Sequence, residues 1–143
     1  MIKAIIDSIA VLIHAAFPDH AIYDEGQVPQ NFIRPSFCIV TGGVKHTPLN
    51  IRLTKHEITV TIFSFPPLSE SMAAHLPDLQ ETLAGLCAVF RKGYIKVGNR
   101  AVKVLGGIKS DCSEQDGYVE MTLYYTDSAE EQTTDVMQNI HIN

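Results

Sequence analysis

Tryptophan is absent from this 143-residue chain, and cysteine occurs three times, at Cys38, Cys87 and Cys112. Their wide spacing leaves no C-x-x-C pair, which argues against a zinc knuckle or a thioredoxin-like redox motif. An odd number so dispersed fits assembly in a reducing, intracellular compartment better than a disulfide framework. No run reaches the about 18 apolar residues that a membrane span requires. The segment Met1–Phe17 has a superficial likeness to a secretory leader, with Lys3 ahead of Ile9-Ala10-Val11-Leu12-Ile13. Asp7 and His14 bracket too short an uncharged stretch for that reading, so an amphipathic helix is expected. Basic charge is scarce as well: the net charge is −5, so the chain as a whole lacks the electrostatic footprint of a nucleic-acid binder.

What is present suits one ordinary globular domain. Hydrophobic residues make up 45% and charged residues 19%, well away from the signature of disorder. A chain of this length buries about 68–70% of its unfolded surface, so it needs no covalent staples. The charges are unevenly placed. Arg91, Lys92, Lys96, Arg100, Lys103 and Lys109 fall in a window without a single acid, and Asp111, Glu114, Asp116, Glu120, Asp127, Glu130, Glu131 and Asp135 follow without a single Lys or Arg.

Periodicity supplies the elements. Ile2, Ile5, Ile6, Ile9, Leu12, Ile13 and Ala16 recur at helical steps, so residues 2–16 read as a helix with one buried face, stopped by Pro18-Asp19. Residues 21–23 form a candidate short strand, 24–35 a polar loop, and 36–41 a strand buried on both sides that Gly42-Gly43 ends. Alternation at Leu49, Ile51, Leu53 and again at Ile58, Val60, Ile62 predicts two strands joined by a short Lys55-His56 link. Pro66-Pro67 terminates the second. Met72, Leu76, Leu79, Leu83, Leu86 and Phe90 mark a second helix, with Ser69 as candidate N-cap and Gly93 as C′. Pro77 inside that stripe predicts a kink or a separate first turn, the main helix beginning near His75. Beyond it, Gly98-Asn99 closes a hairpin between 94–97 and 100–105. A short strand at 108–111, a turn at 113–117 and a closing strand at 118–126 complete the pattern.

Hairpin-length links dominate and βαβ alternation is missing. The expected class is therefore α+β, a mostly antiparallel sheet packed against two helices in the order α-β-β-β-α-β-β-β-β. Residues 1–126 are expected to form the domain and 127–143 an acidic tail, mobile or ordered on assembly, whose Val136, Met137, Ile140 and Ile142 suit docking on a partner.

Chemistry is harder to find. His14, His20, His46, His56, His75 and His141 show no close ligand spacing, and His56-Glu57 begins H-E-x-x-H only to meet Val60. Satisfied or solvent-facing histidines are the plainer reading. A small enzyme built on a Cys–His pair stays open as an alternative, against thiols at Cys38 and Cys87 that sit among apolar neighbours like small hydrophobes. Neither glycine pair has a phosphate-cradle context. No catalytic, cofactor or metal residue is therefore assigned. The basic hairpin has three readings. Its cations guard an edge strand, or it meets the acidic region of the next subunit in a head-to-tail contact, or, least supported without interleaved aromatics, it touches nucleic acid incidentally.

An N-terminal helix leads through Tyr23-Asp24-Glu25 to Pro35-Ser36-Phe37-Cys38-Ile39. The strand Ile58–Phe65 ends in Phe65-Pro66 before a long helix, and Asp116-Gly117 opens the strand Tyr118-Val119-Glu120-Met121-Thr122-Leu123-Tyr124-Tyr125. This order of short motifs resembles the tail terminator proteins of long-tailed phages and prophages of Gram-positive bacteria. The likeness covers residues 1–126. Leu49–His56 departs from it, with only Arg52 and Lys55 where the pattern is more basic and aromatic, and so does the long tail. The resemblance implies a virion protein at the tail-neck junction, assembled in the host cytoplasm. It would form a ring, usually of six copies, that caps the tail tube, stops its growth and offers a joining surface to the head. Its partners would be further copies of itself, the tail tube protein and a head-completion protein, with no enzyme activity, cofactor or membrane. A different neck or head-tail connector protein is the alternative. Combined with the charge division, this makes Arg91, Lys96, Arg100, Lys103 and Lys109, against Asp111, Glu114, Asp116 and Glu120, the candidate subunit-interface residues, expected on opposite flanks of the fold.

Overall fold

The computed structural model describes residues 1–24 and 32–128. Helix α1 (Ile2–Ala16) is followed by strands β1 (Ala21–Asp24), β2 (Ser36–Pro48) and β3 (Leu53–Phe65), helix α2 (Leu76–Val89), and strands β4 (Tyr94–Val97), β5 (Arg100–Cys112) and β6 (Gly117–Ser128). The six strands form one sheet in the order β1-β2-β3-β6-β5-β4. All pairings are antiparallel except β1 with β2. The α+β class and the arrangement of two helices on a mostly antiparallel sheet hold as expected.

The core follows from the two periodicities. Ile5, Ile9 and Ile13 of α1 and Leu79, Leu83 and Leu86 of α2 present apolar stripes at three- and four-residue steps. They bury against Ile58, Val60 and Ile62 of β3, Val119, Met121 and Leu123 of β6, and Ile95 and Val102 of the β4–β5 hairpin. Phe37 and Phe90 are the largest fully buried side chains. Gly117 opens β6 directly beneath α2: a Cβ there would stand 2.9 Å from Leu83 Cδ1 and 3.2 Å from the Asp111 carbonyl, so any side chain would have to push both neighbours aside. The Gly98-Asn99 turn forms as expected, with Val97 opposite Arg100 and Gly98 at φ +60.

Several boundaries differ from the sequence reading. Gly42-Gly43 does not end β2. Between the Thr41–Val60 and Val44–Ile58 pairs β2 advances three residues while β3 advances two, a bulge with one extra residue that the glycines accommodate, and pairing then continues to Pro48. The Lys55-His56 link is accordingly not a turn but lies inside β3. The turn falls at residues 49–52, where Asn50 Oδ1 accepts the amide hydrogens of Arg52 and Leu53 at 2.8 and 2.9 Å. Likewise residues 108–111 are the second half of β5 rather than a separate strand. From Leu105–Thr122 to Lys109–Glu120 the pairing steps four residues on β5 and two on β6, a wider bulge carrying Gly106-Gly107.

Helix α2 begins at Leu76 with His75 as its N-cap residue, where Pro77 allows it: the ring occupies the first turn, where no intrahelical amide donor is needed. Ser69 is not its cap. It closes a separate turn through Ser69 N–H to the Ala73 carbonyl and Met72 N–H to the Ser69 carbonyl, both 2.9 Å. Gly93 lies beyond the C-cap residue Phe90, in the turn leading to β4. The expected loop 24–35 begins with Asp24 still in β1, and its residues 25–31 lie outside the described residues, as does the tail beyond Ser128.

Candidate functional site

The β4–β5 hairpin divides its side chains as its alternation demands. Ile95, Val97 and Val102 are buried, while Lys96 and Lys103 stand exposed on the opposite face beside Tyr94. Arg91 is exposed in the turn after α2. Lys109, past the β5 bulge, pairs in register with Glu120 of β6, and both are exposed. Asp111 is exposed at the end of β5, where its carboxylate accepts the Cys112 amide hydrogen at 2.8 Å. Glu114 and Asp116 belong to the β5–β6 turn. Asp116 accepts the Ser113 hydroxyl at 2.8 Å, and the Glu114 carbonyl accepts the Ala74 amide at 2.8 Å, tying that turn to the approach of α2.

The two sets meet at one point within the sheet, where Lys109 of β5 lies opposite Glu120 of β6, while Asp111, Glu114 and Asp116 lie at the end of β5 remote from the β4–β5 turn. Arg100 is moreover held by Asp127 of its own chain and places its guanidinium 5.9 Å from the centre of the Tyr125 ring. Arg91, Lys96 and Lys103 also have exposed side chains.

Two groups that sequence reading did not single out organise the ends of the sheet. Arg34 donates to the carbonyls of Pro66 at 3.0 Å and Gln115 at 3.3 Å, and its guanidinium lies 5.1 and 5.6 Å from the centres of the Phe32 and Phe65 rings. It pins the approach to β2 onto the ends of β3 and the β5–β6 turn. At the other end, β2 and β3 run on past the buried cluster as an arm. His46 faces His56 across the arm with their Nδ1 atoms 2.6 Å apart, and His56 Nε2 lies 3.2 Å from Asp127. Tyr125 packs beside His56, ring centres 4.9 Å apart. Burial, then the Asp127 charge, push the Tyr125 hydroxyl above its ordinary pKa, with Arg100 pulling the other way. The signal that would have revealed this group was the register of the hairpin, hidden once Gly42-Gly43 and Lys55-His56 were read as turns.

Among the described residues no group of three or more His, Cys, Asp or Glu side chains is placed to hold a metal, and no helix is long and apolar enough to cross a membrane. Cys38 is buried in β2, and Cys87 and Cys112 are half-buried. A shallow cavity of about 240 Å³ beside Cys112 is lined by Gln80, Leu83, Ala84, Ser110 and Asp111, which brings a thiol and a carboxylate together but no imidazole. Its lining offers the thiol no general base of the kind a Cys–His nucleophile uses.

Among the described residues the charged and aromatic groups outside the core lie on strand faces, hairpins and turns of an α+β module. The chain belongs to the phage tail terminator protein family, whose profile matches residues 4–135, nearly its whole length. It is thus a structural component of the phage tail. No curated protein matches it. One solved chain, titled only with a sequence identifier, is 15% identical and covers 85% of this chain and 94% of its own, at a TM-score of 0.44. A likeness that distant carries no argument.

Proposed function

We propose that this protein closes a homo-oligomeric ring, of six copies as in the resemblance drawn from its motifs, on the end of the tail tube. There it arrests tube growth and presents the surface that the head-completion protein binds. Assembly takes place in the host cytoplasm, and the finished protein resides at the tail-neck junction of the virion. The observation that carries this reading is the family match across residues 4–135. Two features of the fold support it. The sheet ends in two unlike edges, parallel β1 and antiparallel β4, and unlike surfaces in contact give heterologous, ring-forming assembly when the rotation closes. Arg91, in the turn after α2, and the hairpin residues Lys96 and Lys103 also stand exposed, while Asp111, Glu114 and Asp116 cluster at the β5–β6 turn, so a basic edge of one copy has an acidic turn of the next to meet. Lys109, Glu120 and Arg100 complete the proposed contact zone, Arg100 through its hold on Asp127.

The test is to polymerise purified tail tube protein with and without this chain and measure tube lengths by electron microscopy. Arrest at one length, with rings at the tube ends, is expected. Unchanged elongation, or binding to portal-bearing heads in preference to tubes, would reassign the chain to another neck position. A Lys96→Glu/Lys103→Glu chain should form rings less readily at low salt than the parent. Equal ring formation would remove these lysines from the interface.

A further inference from the structure

His46 and His56 stand ten positions apart and belong to no metal motif, yet the arm places them face to face. The Asn50 turn sets the register that pairs them across β2 and β3, and their Nδ1 atoms approach to 2.6 Å. That is closer than the about 2.9–3.0 Å of an ordinary N–H···O bond, so the two rings converge on one proton between them. The other side of His56 is fixed as well. Its Nε2 lies 3.2 Å from Asp127 Oδ2, while the second Asp127 oxygen receives Arg100. A carboxylate at Nε2 draws the imidazole proton to that nitrogen and leaves the lone pair of a neutral ring at Nδ1, aimed at His46. Ligating histidines are oriented in this way in metal sites: the N–H that does not face the metal is given to a carboxylate, which fixes the tautomer and raises the basicity of the other nitrogen.

We propose that His46 and His56 form a two-imidazole chelate for a divalent transition-metal ion of the zinc, nickel and copper class, with Asp127 as the outer carboxylate that orients His56. The metal takes the place of the shared proton. In the neutral pair that proton leaves His46 Nδ1 and returns, through solvent, to the exposed His46 Nε2, so each ring keeps one hydrogen and no charge is lost. Nitrogens on one tetrahedral zinc at 2.0–2.1 Å stand about 3.3 Å apart, so the rings must part by about 0.7 Å. The exposed His46 side chain has room to make that turn, whereas His56, at 16% side-chain exposure, is held. Two imidazoles leave two coordination positions for water or for a donor from a neighbouring copy, which is consistent with there being no three-residue cluster within the described part of one chain. Imidazole nitrogen selects against magnesium and calcium, which require oxygen. A bound ion would clip β2 to β3 close to their turn and stiffen the arm.

Zinc chloride titrated calorimetrically into the full chain tests this, with magnesium chloride as the comparison. One zinc per chain and no magnesium response are expected. His46→Ala should weaken zinc binding at least tenfold, and Asp127→Asn, which leaves both ligands in place, by about tenfold, at the lower end of outer-carboxylate effects. His46 is exposed, so its variant should keep the parent's circular dichroism. The proposal is overturned if zinc gives no binding, if magnesium binds equally well, or if both His46→Ala and His56→Ala chains retain the parent affinity.

Discussion

The body of the sheet and its arm are built from the same strands and obey different rules. In the body, the positions of β3 and β6 that face the helices are Ile58, Val60, Ile62, Val119, Met121 and Leu123, all buried. Along the arm the same face continues as His46, His56, Tyr125 and Asp127, and the apolar residues at its tip are turned out, Leu49 at 53% and Ile51 at 92% exposure. Alternation of apolar residues therefore signals burial only where a helix is available to cover it. At the arm it marks a turn with an apolar surface.

The largest expected difference between the two regions is energetic. Phe37→Ala, in the body, should cost about 3–5 kcal/mol because it removes a fully buried ring and leaves a cavity in the core. Ile51→Ser, at the tip, should change stability by less than about 0.5 kcal/mol, as surface substitutions do. Urea unfolding of both chains checks the pair. Similar midpoint shifts would mean that the tip packs against something in solution and is not the exposed end of an arm.

The same division explains what could be read from sequence. Both helices were legible because their stripes, Ile5-Ile9-Ile13 and Leu79-Leu83-Leu86, are long and are satisfied within the chain. Pro77 located the start of α2 because its missing amide donor has only one comfortable place in a helix. The arm was illegible because glycine pairs have two meanings, turn and bulge. Only the partner strand, ten or more residues away, decides between them. Once Gly42-Gly43 was taken as a turn, Asn50, the true turn residue, was absorbed into a strand and the His46–His56 contact vanished with the register. The charged set was visible as a pattern, but its geometry was not. Arg100 and Asp127, 27 residues apart, meet only because β5 and β6 are neighbours.

Glycines sharpen the comparison at the next level. Gly117→Ala should destabilise by about 1–3 kcal/mol, because its Cβ would press on Leu83 and on the rigid Asp111 carbonyl. Gly43→Ala, in the arm bulge, meets nothing within 4 Å and should be neutral or slightly stabilising through the unfolded state. Thermal unfolding of the two variants should separate them clearly, and equal losses would contradict the close approach of α2 to β6. Smaller again is Asn50→Ala. It removes two exposed side-chain bonds to the backbone, so about 0.5–1.5 kcal/mol is expected, together with faster amide exchange at Arg52 and Leu53. Unchanged exchange there would show that the turn does not depend on Asn50.

The subtlest contrast is between the body's own histidine and those of the arm. His20 stacks on Phe37 with ring centres 4.7 Å apart, meets the edge of Phe17 at 5.4 Å, and buries Nδ1 with no partner among the described residues. Burial lowers its pKa below the ordinary 6.5, and nearby Asp19 only partly offsets this. The folded chain therefore resists a proton that the unfolded chain accepts. Above pH 6.5 neither state takes it up and the contribution to stability is intact. As the pH falls below 6.5 the unfolded state binds the proton first, and stability declines until the depressed folded pKa is reached. His20→Leu removes the titration while keeping an apolar group against Phe37. Urea midpoints measured from pH 7.5 to 5.0 should fall more steeply for the parent than for this variant. Parallel slopes would mean that His20 is hydrated in solution and that the polar end of this stack lies open to water, as the arm histidine His46 does.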